Sequence, residues 1–270
     1  MKLKWVAIFT ILSSLTGSFA SADGTVKTLN GHEYNPENVY YRGTTGLNLV
    51  GLADLKKLKT LLAPMGYDPV EFAPGQGAVN VVFLDHKDVT GCTCPSSFTE
   101  YYIGVLIKPR IKGSEKSFNV VRLFEGSNHV VRRAVMLQKF ATNSQLADVK
   151  FNYREKTAQI LLPDGQKVME LRVKSDMTPE GNTAADVVFY TPGAKVGATK
   201  LKRSFYRFLS MGTSVKGQFN PQVDKLTLYE SKTELGKISQ FLNRVGFTPI
   251  QPEFYHSIDI DQARLKSLNF

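Results

Sequence analysis

The sequence predicts a mainly β (α+β) protein, in which one domain forms a curled antiparallel sheet or barrel with a few peripheral helices. Three observations lead to this prediction. About ten short segments rich in Val, Ile, Phe and Tyr follow one another at hairpin-length spacing. Two segments repeat apolar residues at helical spacing. The alternation of strand and helix that builds a parallel sheet is absent, and no change in composition divides the chain.

The first 22 residues have the pattern of a secretory signal peptide. A basic start, MKLK, precedes the apolar stretch WVAIFTILSSL, and ASA at 20–22 fits a cleavage site, with SFA at 18–20 as a second option. An apolar run of about eleven residues is too short to cross a membrane. We therefore expect cleavage near Ala22, export to the periplasm or the cell exterior without membrane insertion afterwards, and one domain over residues 23–270. An uncleaved N-terminal anchor is the alternative.

The first half of this domain is predicted to contain one helix and three strands. Residues 23–38 are polar and rich in turn formers, which is typical of a lead-in segment. In LADLKKLKTLLAPMG leucines recur at helical spacing, and Pro64 and Gly66 end the pattern. The stretch HVVRRAVMLQKFAT, residues 129–142, is interpreted as a short helix or a tight crossover. The strands are predicted at 77–85, 99–109 and 118–124.

The second half is predicted to contain hairpins, a helix and a closing strand. PDGQ, residues 163–166, is a hairpin turn, because proline presets one φ angle and Asp-Gly tolerates positive ones. Residues 233–246 repeat apolar side chains on one helix face and end at Gly246. DMTPEGNTAA (176–185) and TPGAKVGATK (191–200) are interpreted as loops. Strands are predicted at 146–153, 157–162, 167–173, 185–191, 202–209, 224–230 and 254–261.

The charge of the chain favours small anionic partners over nucleic acid. The formal net charge is +10, and it falls to +8 without Lys2 and Lys4 of the leader, but the basic residues are scattered. A moderate positive surplus favours anionic surfaces or small anionic substrates, and the alternative is that it only keeps a soluble protein away from zero net charge. No nucleic-acid-binding motif is present, so no nucleic-acid partner is predicted.

The histidines and cysteines do not predict a metal site. The four histidines are scattered, without the spacing of metal ligands. Cys92 and Cys94 form a Cys-x-Cys pair, whose bridge would close a small strained loop. Inert thiols, a local disulfide, and metal or redox chemistry remain open for this pair.

Two residues could carry chemistry. Glu100 precedes the aromatic strand YYIGV, and an acid at the end of such a strand can be half-buried, with a raised pKa. Lys139 lies in the apolar stretch AVMLQKFA, where desolvation favours the neutral amine, which attacks ketones to form a Schiff base. The alternatives are an exposed acid at a strand end and a lysine that extends over apolar neighbours to water.

Four features follow one another in a characteristic order and spacing over residues 50–140. The helix DLKKLKTLLAP leads into a strand, and DVTG, residues 88–91, is a D-x-[ST]-G-like element. Cys94 is followed by Thr99-Glu100 and an apolar strand. Lys139 follows Arg132 by seven residues. In their order and spacing these four features resemble the acetoacetate decarboxylase superfamily, in which the reactive lysine follows an arginine by seven residues.

The resemblance implies a single-domain, antiparallel β-barrel or cone with a pocket inside the cone. It implies Lys139 as the Schiff-base lysine and Glu100 as the pocket acid. The family holds the substrate carboxylate with an early arginine, for which Arg42 is the nearest candidate and Arg132 the second. This chemistry requires no metal or organic cofactor. Family members often form symmetric oligomers, so a homo-oligomer is compatible with the resemblance.

The chain departs from the decarboxylase itself at three positions. Phe140 replaces the second lysine of the family, Gln138 replaces the proline before the reactive lysine, and Val81 and Val82 stand where the family has another acid.

The predicted function is therefore an exported Schiff-base-forming lyase that acts on a small oxo acid. Its reaction is decarboxylation, or chemistry of the aldol or dehydration type. The alternative is a catalytically inactive β-barrel that binds a small apolar or anionic ligand. A secreted protein that binds polyanions through its basic face is a third possibility.

Overall fold

The computed structural model describes residues 26–27, 33–34, 36–90, 96–129, 143–190, 195–196, 199–200, 205–230 and 236–264. Strands make up most of these residues, which confirms the mainly β prediction. The helices among the described residues are α1 (Leu55–Leu62) and α2 (Gly236–Val245). The strands are β1 (Val26–Lys27), β2 (Glu33–Tyr34), β3 (Pro36–Asp54), β4 (Glu71–Ala73), β5 (Gln76–His86), β6 (Asp88–Thr90), β7 (Phe98–Leu106), β8 (Phe118–Ser127), β9 (Asn143–Leu146), β10 (Asp148–Asn152), β11 (Thr157–Leu161), β12 (Lys167–Arg172), β13 (Thr178–Tyr190), β14 (Lys195–Val196), β15 (Thr199–Lys200), β16 (Phe205–Lys216), β17 (Lys225–Leu228) and β18 (Thr248–Arg264).

The main sheet closes on itself. Its strands follow the order β4–β5–β7–β8–β13–β16–β18–β3–β6, with β9 beside β8 and a further pairing between β5 and β3. That pairing runs from Thr45 opposite Asp85 to Asp54 opposite Gln76, so the strands from β5 round to β3 form a closed circuit. Neighbours in this sheet are antiparallel, except that β8 runs parallel to β13 and β9. Because β4 and β6 lie outside the circuit, the sheet is a curled ring of strands and not a regular barrel.

The two faces of this sheet carry separate apolar clusters. The larger cluster, which we call the outer core, joins one face of the main sheet to α1, α2 and a small sheet with the order β10–β11–β12–β17. A ring of about eight strands is only wide enough for side chains or for one small ligand. The helices and the small sheet therefore lie outside the ring, and the other face points inward. The buried members of the cluster on this inner face are Val39, Tyr41, Val89, Phe98, Val120, Phe189, Ile258 and Ile260.

Alternation along β7 assigns its side chains to the two faces. Tyr101 and Ile103 are buried in the outer core. Glu100 and Tyr102 alternate with them, and Tyr102 packs against the inner cluster. Since successive strand residues point to opposite faces, the acid of this strand belongs to the inner face.

Helix α1 confirms the helix predicted from the leucine pattern. Leu55, Leu58 and Leu62 are buried, and the Asp54 carboxylate accepts a hydrogen bond from the backbone N–H of Lys57 as an N-cap. Helix α2 likewise buries Ile238, Leu242 and Val245 in the outer core. No helix among the described residues is long and apolar enough to cross a membrane.

Two predictions along the chain were wrong in detail. Strand β3 is 19 residues long, begins within the predicted lead-in at 23–38 and continues where no strand was predicted. Most of the predicted loop at 176–185 belongs to β13, which pairs with β16 across a register shift between Pro179 and Gly181. From residue 130 onward, the stretch 129–142 lies outside the described residues.

Candidate active site

Buried polar side chains are grouped on the inner face where β3, β5, β7 and β8 lie side by side. A buried charge is costly unless it is paired and hydrogen-bonded, so such a group indicates either a structural network or a functional site. The side chains that form this group, which we call the inner polar site, are the buried Thr44, His86, Glu100, Arg122 and Glu125 and the half-buried Tyr102.

Glu100 and His86 form a close pair at one end of the inner polar site. They are 2% and 1% exposed, and Nε2 of His86 lies 3.2 Å from Oε1 of Glu100. The two atoms are within ion-pair distance, but the ring N–H does not have the alignment of a hydrogen bond. The carboxylate and the imidazole are therefore in reach of each other.

The imidazole of His86 is held on three sides. Its Nδ1 lies 3.0 Å from Oγ1 of Thr44, and the rings of Tyr41 and Phe98 pack at centroid distances of 4.5 and 4.8 Å. Tyr41 and Thr44 are three residues apart, so regular alternation would place them on opposite faces. A bulge at Gly43, with φ of +59°, restores both to the same face.

Arg122 and Glu125 form the second pair of the inner polar site. Nη1 of Arg122 donates to Oε2 of Glu125 at 3.4 Å, and both side chains are almost fully buried. The guanidinium carbon lies 4.4 Å from the ring centroid of Tyr102 and 3.9 Å from that of Phe189. Cation–π contact with two rings stabilises a guanidinium that water cannot reach.

A second bulge places this pair on one face. Ile103 pairs with Phe124 and the next residue of β7 pairs with Arg122, so Leu123 is an extra residue in β8. Leu123 and Phe124 both point to the outer core. As a result Arg122 and Glu125, three residues apart, both point to the inner face.

Tyr102 connects the two pairs electrostatically. Burial raises the pKa of Tyr102 to about 12, while the Arg122 guanidinium lowers it and the Glu100 carboxylate raises it. The hydroxyl is therefore protonated at neutral pH and can donate a hydrogen bond inside the site.

A further polar group lies on the same face around Glu253. The hydroxyl groups of Ser214 and Tyr255 donate to the Glu253 carboxyl at 2.8 and 3.1 Å, and burial raises the pKa of this acid. Asn48 hydrogen-bonds the Tyr255 hydroxyl and accepts from Asn80 at 3.0 Å. Polar side chains thus continue along the inner face from β7 to β18.

The outer surface carries an open depression of about 650 Å³ that has no comparable chemistry. It is lined in part by Ser175 and Asn220. Nearby, the Asp224 carboxylate accepts the backbone N–H groups of Lys174, Ser175 and Asn220 and the Ser175 hydroxyl. Because these donors surround Asp224, it holds two loops together and is not a binding group. Within the described residues, no three His, Cys, Asp or Glu side chains are grouped so as to hold a metal ion.

The structure locates two of the four predicted site residues. Glu100 is buried in the inner polar site. Arg42 lies on β3, where it pairs with exposed Asp88, and its guanidinium lies 5.1 Å from the Tyr40 ring centroid. Its neighbour Tyr41 points to the inner face, so Arg42 points to the other one. Its assignment to the substrate carboxylate stays a prediction. The other predicted residues and the cysteine pair lie outside the described residues: Lys139, Arg132, Cys92 and Cys94.

Sequence reasoning missed His86, Arg122 and Glu125. A signal existed for Arg122, since a charged residue within the apolar strand FNVVRLF is unusual. None existed for His86, because Thr44 is 42 residues away along the chain and the contact depends on the ring of strands.

Solved structures show the fold of this chain. An acetoacetate decarboxylase aligns with a TM-score of 0.58 and 11% identity over 86% of this chain and 89% of that one. The acetoacetate decarboxylase of Legionella pneumophila subsp. pneumophila aligns with a TM-score of 0.57 and 11% identity over 98% of both chains. The chain has the acetoacetate decarboxylase-like fold.

The same fold occurs in MppR, an enzyme of enduracididine biosynthesis. Its structure in complex with the condensation product of pyruvate and imidazole 4-carboxaldehyde aligns with a TM-score of 0.54 and 9% identity, over 84% of this chain and 87% of that one. No family model and no curated protein matches the sequence. At these identities the acetoacetate decarboxylase-like fold is shown, and the roles of single residues have to be argued from this chain.

Proposed function

We propose that this protein is an enzyme that forms a Schiff base with a small oxo acid and acts as a lyase on it. The single observation that carries the proposal is the inner polar site. In an acetoacetate decarboxylase-like fold, it places the acid Glu100 and the cation Arg122 beside aromatic rings and away from water. An oxo acid needs both kinds of group, because its carboxylate attracts a cation and its carbon atoms exchange protons with an acid or base.

The proposed reaction begins at Lys139. Its neutral amine attacks the ketone carbon, and loss of water gives an iminium. The iminium takes up the electron pair released when a C–C or C–H bond of the substrate breaks, which gives an enamine. Glu100 then gives its proton to the enamine carbon, or removes one from the substrate, according to the reaction.

Three arginines are candidates for holding the substrate carboxylate. Arg122 is the one buried arginine or lysine among the side chains whose burial the structure describes, and it lies on the same face as Glu100. Its charge is held in a low-dielectric place, where attraction to an anion is stronger than in water. Arg42 and Arg132 remain the candidates from the sequence.

Trapping with borohydride tests the proposal. The protein is incubated with acetoacetate or pyruvate, borohydride is added, and the intact mass is measured. We expect an adduct of one substrate unit that maps to Lys139 and is lost in Lys139→Ala. Lys150→Ala is the matched control, because Lys150 is an exposed lysine on β10. An adduct that persists in Lys139→Ala, or that maps to several surface lysines, contradicts the assignment.

Turnover measurements test the role of Glu100. Glu100→Gln is expected to retain the adduct but to lower kcat by about 100-fold or more, because the amide cannot exchange a proton. Glu155→Gln, which changes an exposed acid in a turn, is the control. Unchanged kcat in Glu100→Gln rules out this carboxyl as the proton donor.

One observation favours a non-catalytic alternative. Val82 lies opposite Tyr102 on the inner face, in the strand where the decarboxylase itself has another acid. A chain without that acid could retain the fold and bind a small apolar or anionic ligand. Under this alternative a panel of oxo acids shifts the thermal midpoint, but no member gives a borohydride adduct.

A further inference from the structure

We propose that His86 is the positioning residue for Glu100, and that its Nε2–H holds the carboxyl group in place while Glu100 gains or loses its own proton. The consequence for catalysis rests on the proposed function. The pairing itself concerns only the described residues of this chain and can be tested without any substrate.

Burial is the first argument for the pairing. A carboxylate with 2% exposure requires a nearby positive group, a hydrogen-bond donor or a proton. Nε2 of His86, 3.2 Å from Oε1, can supply a donor N–H to the carboxylate or accept a hydrogen bond from the carboxylic acid. A donor N–H at Nε2 can hydrogen-bond the carboxylate and also the carbonyl oxygen of the carboxylic acid, so the contact with His86 is kept when Glu100 gains or loses its proton.

The rigid mounting of the imidazole is the second argument. Thr44 holds Nδ1 at 3.0 Å, and Tyr41 and Phe98 pack against the ring. A ring held in this way presents Nε2 in a fixed direction. The Thr44 hydroxyl can accept from Nδ1–H or donate to Nδ1, so this contact is compatible with the neutral and the protonated ring.

The incomplete alignment is the third argument. Nε2 is buried and within ion-pair distance of Glu100, yet it lacks the geometry of a hydrogen bond. Catalytic hydrogen bonds are often poorly aligned in a ligand-free enzyme and tighten when the substrate binds.

The proton balance follows from this geometry. When Glu100 protonates the enamine carbon, the electron pair of the enamine forms the new C–H bond. The O–H bond of the acid breaks, and its electron pair stays on the carboxylate. His86 keeps its Nε2 proton throughout, and Nε2–H donates to the carboxylate after the transfer as it donated to the acid before it. In the reverse direction, Glu100 takes a proton from carbon on one oxygen while Nε2–H donates to the other.

The first test uses NMR and requires no activity. Two-bond ¹H–¹⁵N spectra of the imidazoles are recorded for the wild type and Glu100→Gln, and His86→Gln identifies the resonances of His86. We expect the Nε2 resonance of His86 to move in Glu100→Gln, while His256, which is exposed on β18, does not change. An unchanged Nε2 resonance overturns the pairing.

The second test uses kinetics. His86→Leu is expected to lower kcat by about 100-fold, with KM changed less than about two-fold, because a displaced carboxylate loses its productive geometry. His86→Gln, whose amide N–H can take the place of Nε2–H, is expected to recover part of the loss. The borohydride adduct is expected to form in both variants, since His86 takes no part in amine attack. Equal activities of the Leu and Gln variants overturn the positioning role, and His256→Gln is the control.

Failure of this inference differs from failure of the proposed function. If the wild type gives no adduct and no turnover, the proposed function fails, and the NMR test still decides whether His86 and Glu100 are paired. If the adduct forms and His86→Leu retains full kcat, the Schiff-base chemistry stands and the role of His86 is refuted. Circular dichroism of each variant shows whether lost activity reflects lost folding.

Discussion

Replacing Glu170 with glutamine is expected to destabilise the protein at neutral pH and much less in acid. Glu170 lies on β12, on the face of the small sheet that points away from the outer core. Oε1 accepts from Gln159 at 3.0 Å and from Arg172 at 3.0 and 2.7 Å. Oε2 accepts from Lys167 and from the Tyr229 hydroxyl, both at 3.0 Å. Glu170→Gln removes the charge that these donors stabilise.

The magnitude follows from the pKa. The Arg172 guanidinium lowers the pKa of Glu170 from 4.5 to about 2, with help from Lys167, Tyr229 and Gln159 and against the effect of burial. A shift of this size corresponds to about 3 kcal/mol in the free energy of unfolding. The Arg172 side chain is 57% exposed and that of Lys167 is 37% exposed, so solvent screening reduces the contribution to about 1–2 kcal/mol.

The sign of the pH dependence is fixed by the direction of the shift. A carboxyl whose pKa is lowered in the folded state stabilises the protein above the unfolded value of 4.5, and this stabilisation is lost as the pH falls towards 2. Urea unfolding of wild type, Glu170→Gln and the control Glu155→Gln at several pH values between 2 and 7 measures the effect. We expect the difference in the free energy of unfolding between wild type and Glu170→Gln to become smaller in acid. An equal difference in this free energy at pH 2 and at pH 7 would refute the electrostatic reasoning.

Three further predictions concern stability and processing. Glu125→Gln is expected to lower the free energy of unfolding by about 3 kcal/mol in the wild type, and by much less in an Arg122→Met variant. Urea unfolding measures both values, and an equal decrease in the two backgrounds would contradict the pairing of Arg122 with Glu125. Gly51→Ala is expected to cost about 1–3 kcal/mol, because a Cβ there would lie 2.2 Å from the Phe247 ring; an unchanged urea midpoint would refute this crowding. Expression with export is expected to give a mature chain that begins after Ala22, and an intact mass that includes residues 1–22 would exclude cleavage.

Most strands and both α-helices of the described residues were predictable from the sequence because their signals are local. Leucine spacing and the Asp54 cap belong to α1 alone, and apolar strands such as β5 and β7 are visible in short windows. Strand β3 was missed because its glycines are typical of turns. At Gly51 the reason for glycine is the approach of Phe247, a contact that only the folded ring creates.

The candidate site was predicted in part for the same reason. Glu100 was recognisable from its place before an aromatic strand. The roles of His86 and Arg122 depend on neighbours from other strands and on bulges that interrupt alternation, which short sequence windows do not contain. The role of Lys139 as the Schiff-base lysine stays a prediction, made from its distance of seven residues after Arg132 in the sequence.

The extra residue Leu123 has a consequence for comparing this chain with distant relatives. Suppose that a relative lacks the one extra residue in the strand that corresponds to β8. A carboxylate at the position of Glu125 would then point to the outer face of the sheet, even if every other residue of the strand were the same. Alignments that allow gaps only between strands would then equate residues that point in opposite directions. Whether a relative with this fold has the same buried charge pair must be judged from the direction of the side chains in its structure. Identical residues at one position of a sequence alignment are insufficient.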